Sequence, residues 1–493
     1  MAYPVLPSRS AVQRLYRVLL LSAALQLCVA SLPDTMGDLF VYRSWTRTLA
    51  GHGIMTAYWP SSSDPEDAFL HPPIDYPPVL PYVLLCVGRG LGALDPALLY
   101  ARDRLLDFAI RVPFVLANLA IAFMVYTVLR RRADPRTALW AAALFAFSPA
   151  VVFDTAYWGQ ADSLCVAFVV AGLMLLERGR AGWAWALIVV AALVKPLAWP
   201  FLPLVGLASL KRFGLGRTLR SSLVAAAVAC AVLLPFFLQG RLLPIVKTLF
   251  LQIDAMPYTS VNAHNFWWIA SGGHPWTPAA ESWLGGPSYE TLGLLLFGVV
   301  YLLCARELWR SGDAQALYRA SAGAAFGFFM LATHMHENHL FAFLPLLLLA
   351  RGDEPAWRRF FVLCSLTFLA NMVLHDPFLM HVAGGFAFGP RLRLPPQLDP
   401  APGLADHFIR VGYPHLAEEM RGDHSLVWFL LTLLNSQVNV LLFAYWLARG
   451  LEGPRAGVPR EIPRWAAVAT VALVIAIGLP FVRRALGLAG VPH

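Results

Sequence analysis

Charge is what this sequence has least of. Only 14% of its 493 residues are Asp, Glu, Lys or Arg, where soluble domains carry about 25%. With a mean hydropathy of +0.60, that shortage excludes a water-soluble core as the main architecture. Lysine is rarest among the charged types, with three in the chain: Lys195, Lys211 and Lys247. The six cysteines (Cys28, Cys86, Cys165, Cys230, Cys304 and Cys364) have no CxxC spacing and lie mostly in apolar runs. They read as small buried hydrophobes, not as a disulfide framework or a zinc site. The chain also lacks a repeat of 20–50 residues, a low-complexity tail and two matching halves with broken helices.

What the chain has instead is apolar length. Segments at 12–32, 108–129, 137–153, 162–177, 182–195, 197–210, 217–237, 292–310, 318–333, 338–351, 358–374, 426–448 and 464–482 read as about 13 membrane spans. The expected fold is an all-α polytopic membrane protein, one integral unit over residues 1–493. Arginines cluster in the short loops, as in Arg130, Arg131, Arg132 and Arg136. Basic short loops mark the cytoplasmic side, so the net charge of +9 sets topology and does not indicate a nucleic-acid partner. Counting 78–94 as a crossing would reverse that rule, so it reads as a helix in the outer interface. Three long segments then face outward: 33–107, 238–291 and 375–425. Loops of this length are uncommon unless they are functional.

Four polar stretches fall on that outer face. "TMGDLFVYRSW" holds Asp38, Arg43 and Trp45, and "HPPIDYPPVLPY" brackets Asp75 and Tyr76 with prolines that stiffen the loop. "FDTAYWGQADS" carries Asp154, Trp158, Gln160 and Asp162 between two spans, and "LATHMHENHL" sets His334, His336, Glu337 and His339 at a joint between two more. Ionisable groups at membrane depth are costly and usually mark function. His334 and His336 are two apart and share no helical face, so no metal is expected. Lys195, in "VVAALVKPLAWP", breaks an apolar run on the same side, where a cation suits an anionic lipid head group such as a phosphate. The ordinary reading of Asp38 is a helix N-cap.

Taken in order, these residues resemble a known family. Gly37, Asp38, Arg43 and Trp45 are similar to the GDF/Y-x-x-(x)-R-x-W signature of the glucosyltransferases that use dolichyl-phosphate-glucose in lipid-linked oligosaccharide synthesis, members of the GT-C superfamily. "IDYPP" (74–78) resembles their LDYPP, and "HMHEN" (334–338) their HxHEK. "VKPLAWPFLP" is similar to an FKQ…P segment, Gln160 and Asp162 to a QxN pair, and Asn265 in "NAHNFWWI" to an Asn-Phe-Trp element. Asn338 in place of lysine, Phe40 in place of an acid and Asp162 in place of Asn depart from the pattern.

The resemblance implies a GT-C fold with interfacial helices in the first external loop. It also implies inverting transfer of a hexose, glucose or mannose, from a polyprenyl-phosphate donor to a hydroxyl of a lipid-linked glycan or glycolipid. No cofactor or metal is expected. In this reading Asp38 is the general base, and Lys195 with a histidine of 334–336 holds the phosphate. Arg43 braces the loop or touches phosphate, Asp75 orients hydroxyls, and Tyr76 and Trp158 stack on sugar rings. A prokaryotic-type relative would sit in a bacterial inner membrane, its site on the extracytoplasmic face. The rival class is a transporter or flippase of lipid-linked substrates, which predicts charges at mid-bilayer.

Overall fold

The computed structural model describes residues 9–33, 38–58, 74–251, 257–273, 277–376 and 426–451, most of which are helical. The expected span 464–482, residue 37 of the first motif and all but the first two residues of the segment 375–425 lie outside the described residues.

Helix α1 (Arg9–Ala30) leads to α2 (Asp38–His52), which packs on α3 (Val79–Leu94). Their contact is close because Gly88 has no side chain: a Cβ there would come within 2.9 Å of Ala50. A short α4 (Pro96–Tyr100), capped by Asp95 accepting from the Ala97 N–H, precedes the long α5 (Asp103–Leu129). Arg43 and Arg47 strap α2 to the start of α5, with Arg43 pairing to Asp103 (3.2 Å) and Asp107 (3.4 Å), and Arg47 to Asp103 (2.5 Å). Helix α6 (Pro135–Ala146) ends before Pro149. The chain resumes as α7 (Pro149–Val152) and a π-helical turn (Phe153–Trp158), bent by 45° from α6. Proline cannot continue a helix because it lacks the N–H and clashes with the preceding turn.

Helices α8 (Asp162–Glu177) and α9 (Ala181–Ala192) form a hairpin against α10 (Phe201–Leu238). Gly214, at φ 75° and ψ 173°, breaks α10 where the sequence predicts the boundary between 197–210 and 217–237. The chain continues through α11 (Leu242–Leu251), strand β1 (Ser260–Val261), α12 (Phe266–Ala270), α13 (Tyr289–Arg310) and α14 (Ala316–Leu331). Strand β2 (Met335–His336), α15 (Phe343–Arg351), α16 (Pro355–Val373) and α17 (Leu426–Tyr445) complete the described elements. β1 and β2 pair in parallel, Ser260 with Met335 and Val261 with His336, a small departure from the all-α expectation.

Five described helices are long and apolar enough to cross a membrane, six if the bent pair at Pro149 is one span. Among the described residues, fewer helices than the expected spans have crossing length. Helix α9 has 12 residues and so spans about 18 Å, short of the roughly 30 Å hydrocarbon core. The physical reason is that polar joints such as Lys195–Pro196 and 333–339 stop helices that the apolar sequence alone would carry further. Leu20, Leu223, Leu294 and Leu302 are among the exposed leucines on α1, α10 and α13, an outward apolar surface suited to lipid.

One end of the bundle is organised by arginine. Arg319 is fully buried and donates to Asp313 (2.7 Å), Glu307 (3.2 Å) and the Leu451 carbonyl (2.9 Å). Arg351 donates to Glu354 and the Gly450 carbonyl, Arg132 to the Leu349 carbonyl, and Arg212 to the Leu176 and Glu177 carbonyls. These cations satisfy carbonyls that helix C-termini leave open.

Candidate active site

At the other end, the four polar stretches and Lys195 come together. Asp38 is the first residue of α2, so its carboxylate sits at the positive end of that helix. Its hydrogen bonds do not go to the helix backbone, as an N-cap's would. Oδ2 accepts from the Trp158 indole N–H (2.5 Å) and from Gln160 Nε2 (2.7 Å). At about 100° per residue, Tyr42 and Trp45 fall on nearly the same face of α2 as Asp38, and both rings pack against Tyr76 (5.9 and 6.0 Å). Arg43 lies about 140° away round the helix, which is why it meets Asp103 and Asp107 and does not join Asp38.

Gly159 makes this meeting possible. It lies in the left-handed region at φ 84°, and a Cβ there would come within 2.9 Å of Leu39. A residue without a side chain can therefore end the π-helical turn directly against α2 and present Trp158 and Gln160 to Asp38. Arg111 closes the back of the site. It is buried and donates to the carbonyls of Ala30 (2.7 Å), Leu32 (2.8 Å) and Tyr157, tying the end of α1 to the turn.

The network continues across the fold. Gln160 Oε1 accepts from Asn338 Nδ2 (3.1 Å), which also donates to Asp162 Oδ2 (2.9 Å). Asp162 Oδ2 takes the Lys195 ammonium at 2.7 Å, in a pair whose side chains are 0% and 8% exposed. Lys195 precedes Pro196 and is extended at φ −153°, ψ 141°, as a residue before proline prefers. That backbone ends α9 and directs the ammonium to Asp162, with the Tyr76 ring 5.9 Å away. Such a buried pair is stable only when the remaining polar atoms find partners; Asn338 donates to the same oxygen as Lys195, and Asp162 Oδ1 is left buried without one.

Other expected residues are placed differently. His334 has φ 62° and donates its N–H to the Tyr258 carbonyl, and His336 lies in β2 with its ring 5.2 Å from His339. Asp75 is half-buried beside Tyr76 at the start of the α3 segment. Asn265 lies apart from the Asp38 network: it caps α12 by accepting from the Trp267 and Trp268 N–H groups and donates to the Phe329 carbonyl. Sequence reasoning gave no role to Asn338, Asp154 or Arg111. The sequence marks Asp154 by its polar stretch and Asn338 by its departure from the family pattern, while Arg111, a lone charge near the start of an apolar run, carries a signal that was passed over.

Burial raises the Asp38 carboxyl to about 6, against the lowering effect of Trp158, Lys195 and Gln160. Burial also lifts Glu337 to about 8, opposed by its own backbone and by Lys195. The site therefore offers an oriented carboxylate that is ionised at neutral pH, next to a fixed ammonium. That is the equipment to take a proton and hold an anion. Among the described residues no cluster of three or more His, Cys, Asp and Glu has the arrangement of a metal site.

A bundle of apolar helices with one polar, acid-and-lysine end defines an integral membrane protein with its candidate active site at that end. The chain belongs to glycosyltransferase family 87, which matches residues 69–333, just over half its length. The match contains Asp75, Tyr76, Trp158, Gln160, Asp162, Lys195 and Asn265, and leaves Asp38, Arg43, Trp45, His334, His336 and Glu337 outside. No curated protein matches the chain.

Proposed function

We propose that this glycosyltransferase has a GT-C fold and moves a hexose from a polyprenyl-phosphate sugar to a hydroxyl of a lipid-linked glycan or glycolipid, with inversion, on the extracytoplasmic face. The observation that carries the reading is the chain of contacts from Asp38 through Gln160, Asn338 and Asp162 to Lys195. It sets a base and a cation at opposite ends of one rigid network. Trp158 and Gln160 fix Asp38 through a single oxygen, which leaves the other to meet an acceptor hydroxyl. As the acceptor's hydroxyl oxygen attacks the anomeric carbon, Asp38 takes the hydroxyl proton, and the bond from that carbon to the phosphate oxygen breaks with its electron pair going to the phosphate oxygen. Lys195 attracts the growing charge there. The phosphate is a good leaving group, and positioning supplies much of the remaining advantage. Tyr76 and Trp45 form an aromatic wall beside the lysine suited to a sugar ring.

The test uses purified protein with radiolabelled polyprenyl-phosphate-glucose and polyprenyl-phosphate-mannose and a membrane lipid extract as acceptor. Transfer from one donor is expected, falling by about 10³ in Asp38→Asn while undecaprenyl-phosphate binding stays within about threefold of wild type. Near-normal turnover by Asp38→Asn would remove it as the base.

A further inference from the structure

Glu337, which the sequence pattern places among the candidate substrate-binding residues, has no role in the mechanism described so far. It lies in the 333–339 joint between α14 and α15, next to Asn338, which bonds to both Gln160 and Asp162. Its side chain is buried at 6% exposure, and Oε2 has no hydrogen-bond partner. Asp38 on α2, Lys195 before Pro196 and Asp154 in the π-helical turn all act on it electrostatically, and His334, His336 and His339 stand on its own segment. Four carboxyl groups thus surround one ammonium, and like charges in a buried site cannot all ionise.

Partners decide which acids carry charge. Asp162 has Lys195 and Asn338, and Asp38 has two N–H donors. Glu337 Oε2 and Asp154 Oδ1 are buried with no partner. Asp154 is fully enclosed, its Oδ2 taken by Thr155 at 3.4 Å, whereas Glu337 keeps some exposure beside Lys195 and Asp38.

We propose that Glu337 is a neutral carboxylic acid in the resting site and donates a hydrogen bond from Oε2 to the phosphate of the lipid donor, a further catalytic residue paired with Lys195. The proposal rests on the polyprenyl-phosphate reading. A buried acid without a donor would repel a phosphate if ionised, and protonated it has the one proton that an anion can accept. During transfer the bonding pair passes to the phosphate oxygen, the acceptor's proton goes to Asp38, and Glu337 keeps its own proton while sharing it with that oxygen. Burial places its ionisation near pH 8, above the second ionisation of an alkyl phosphate at about 6.

Binding of undecaprenyl phosphate to the full-length protein, from pH 7.5 to 9.5, tests this whichever sugar is transferred. Wild-type affinity should fall about tenfold over that range as Glu337 loses its proton. In Glu337→Gln, whose amide is a permanent donor, affinity should stay within about twofold. Turnover should follow: Glu337→Ala loses at least 10²-fold, while Glu337→Gln retains a tenth or more and lacks the alkaline decline. A pH-independent wild type, or an unaltered decline in Glu337→Gln, would overturn the Glu337 assignment alone. No binding at any pH would overturn the donor reading with it. Asp38→Asn, measured beside these, reports on the base assignment separately.

Discussion

Arg319 and Lys195 are both buried cations at the ends of helices, yet their surroundings differ in kind. Arg319 meets Asp313, Glu307 and a backbone carbonyl, and Arg351 and Arg212 likewise end on carbonyls. Lys195 has one carboxylate oxygen, while Asp154, Glu337 and the other oxygen of Asp162 are left with buried atoms that have no partner. Unsatisfied buried polar atoms cost about 1–3 kcal/mol each. Arg132 Nε and Trp446 Nε1 are also buried without a partner at the arginine end, so the contrast lies in the acids: both oxygens of Asp313 are bonded to Arg319, whereas the acids around Lys195 keep oxygens open for a ligand.

The sharpest way to break the contrast is Asp162→Ala, which strands Lys195 and Asn338 together. Turnover should fall at least 10²-fold, with about 3–5 kcal/mol of stability lost, read by transfer assay and thermal unfolding in detergent. Arg319→Met should cost about 3 kcal/mol and leave turnover per folded molecule within about twofold. If activity fell in parallel with Asp162→Ala, the ends would not be separable. Gly159→Ala forces a side chain into the left-handed region against Leu39. About 1–3 kcal/mol of strain should appear mostly as lost turnover, because Trp158 and Gln160 move off Asp38. Acidification acts on one end only. Asp38, ionising near 6, accepts no proton once protonated, so the rate should drop about tenfold per pH unit below that point; a rate flat to pH 5 would count against Asp38. The smallest effect belongs to Arg131→Gln. Its ion pair with Glu177, at 3.6 Å, has the arginine side chain 40% exposed, so the change should stay under about 1 kcal/mol.

Much of the helical plan was legible because apolar runs end at proline, glycine and charge. The segment 162–177 coincides with α8, and the break in α10 falls at Gly214. The sequence also put the polar stretches on one face, and in the structure Asp38, Trp158, Gln160, Asn338, Asp162 and Lys195 meet. What the sequence could not show was which side chain turns to which partner. Arg43 stands two residues from Trp45, but helical rotation sends it to Asp103 and Asp107. Asn265 precedes a short helix, where an N-cap is the simpler use of an asparagine, and that is where its oxygen goes. Asn338 was noticed as a departure from a pattern, and its bridge between Gln160 and Asp162 depends on a turn that no local signal specifies.

The bridge made by Asn338 also fixes an order in time. Asp38 and Asn338 are 300 positions apart, and a ribosome adding about 5–20 residues per second needs roughly 15–60 seconds to travel from one to the other. Asp162 emerges within the first half of that interval and Lys195 just past its midpoint, and the two can pair as soon as α8 and α9 insert. The amide that joins them to the base arrives last. A chain halted before residue 338 would hold its lysine and its aspartates already in the bilayer, but with the link between them unwritten.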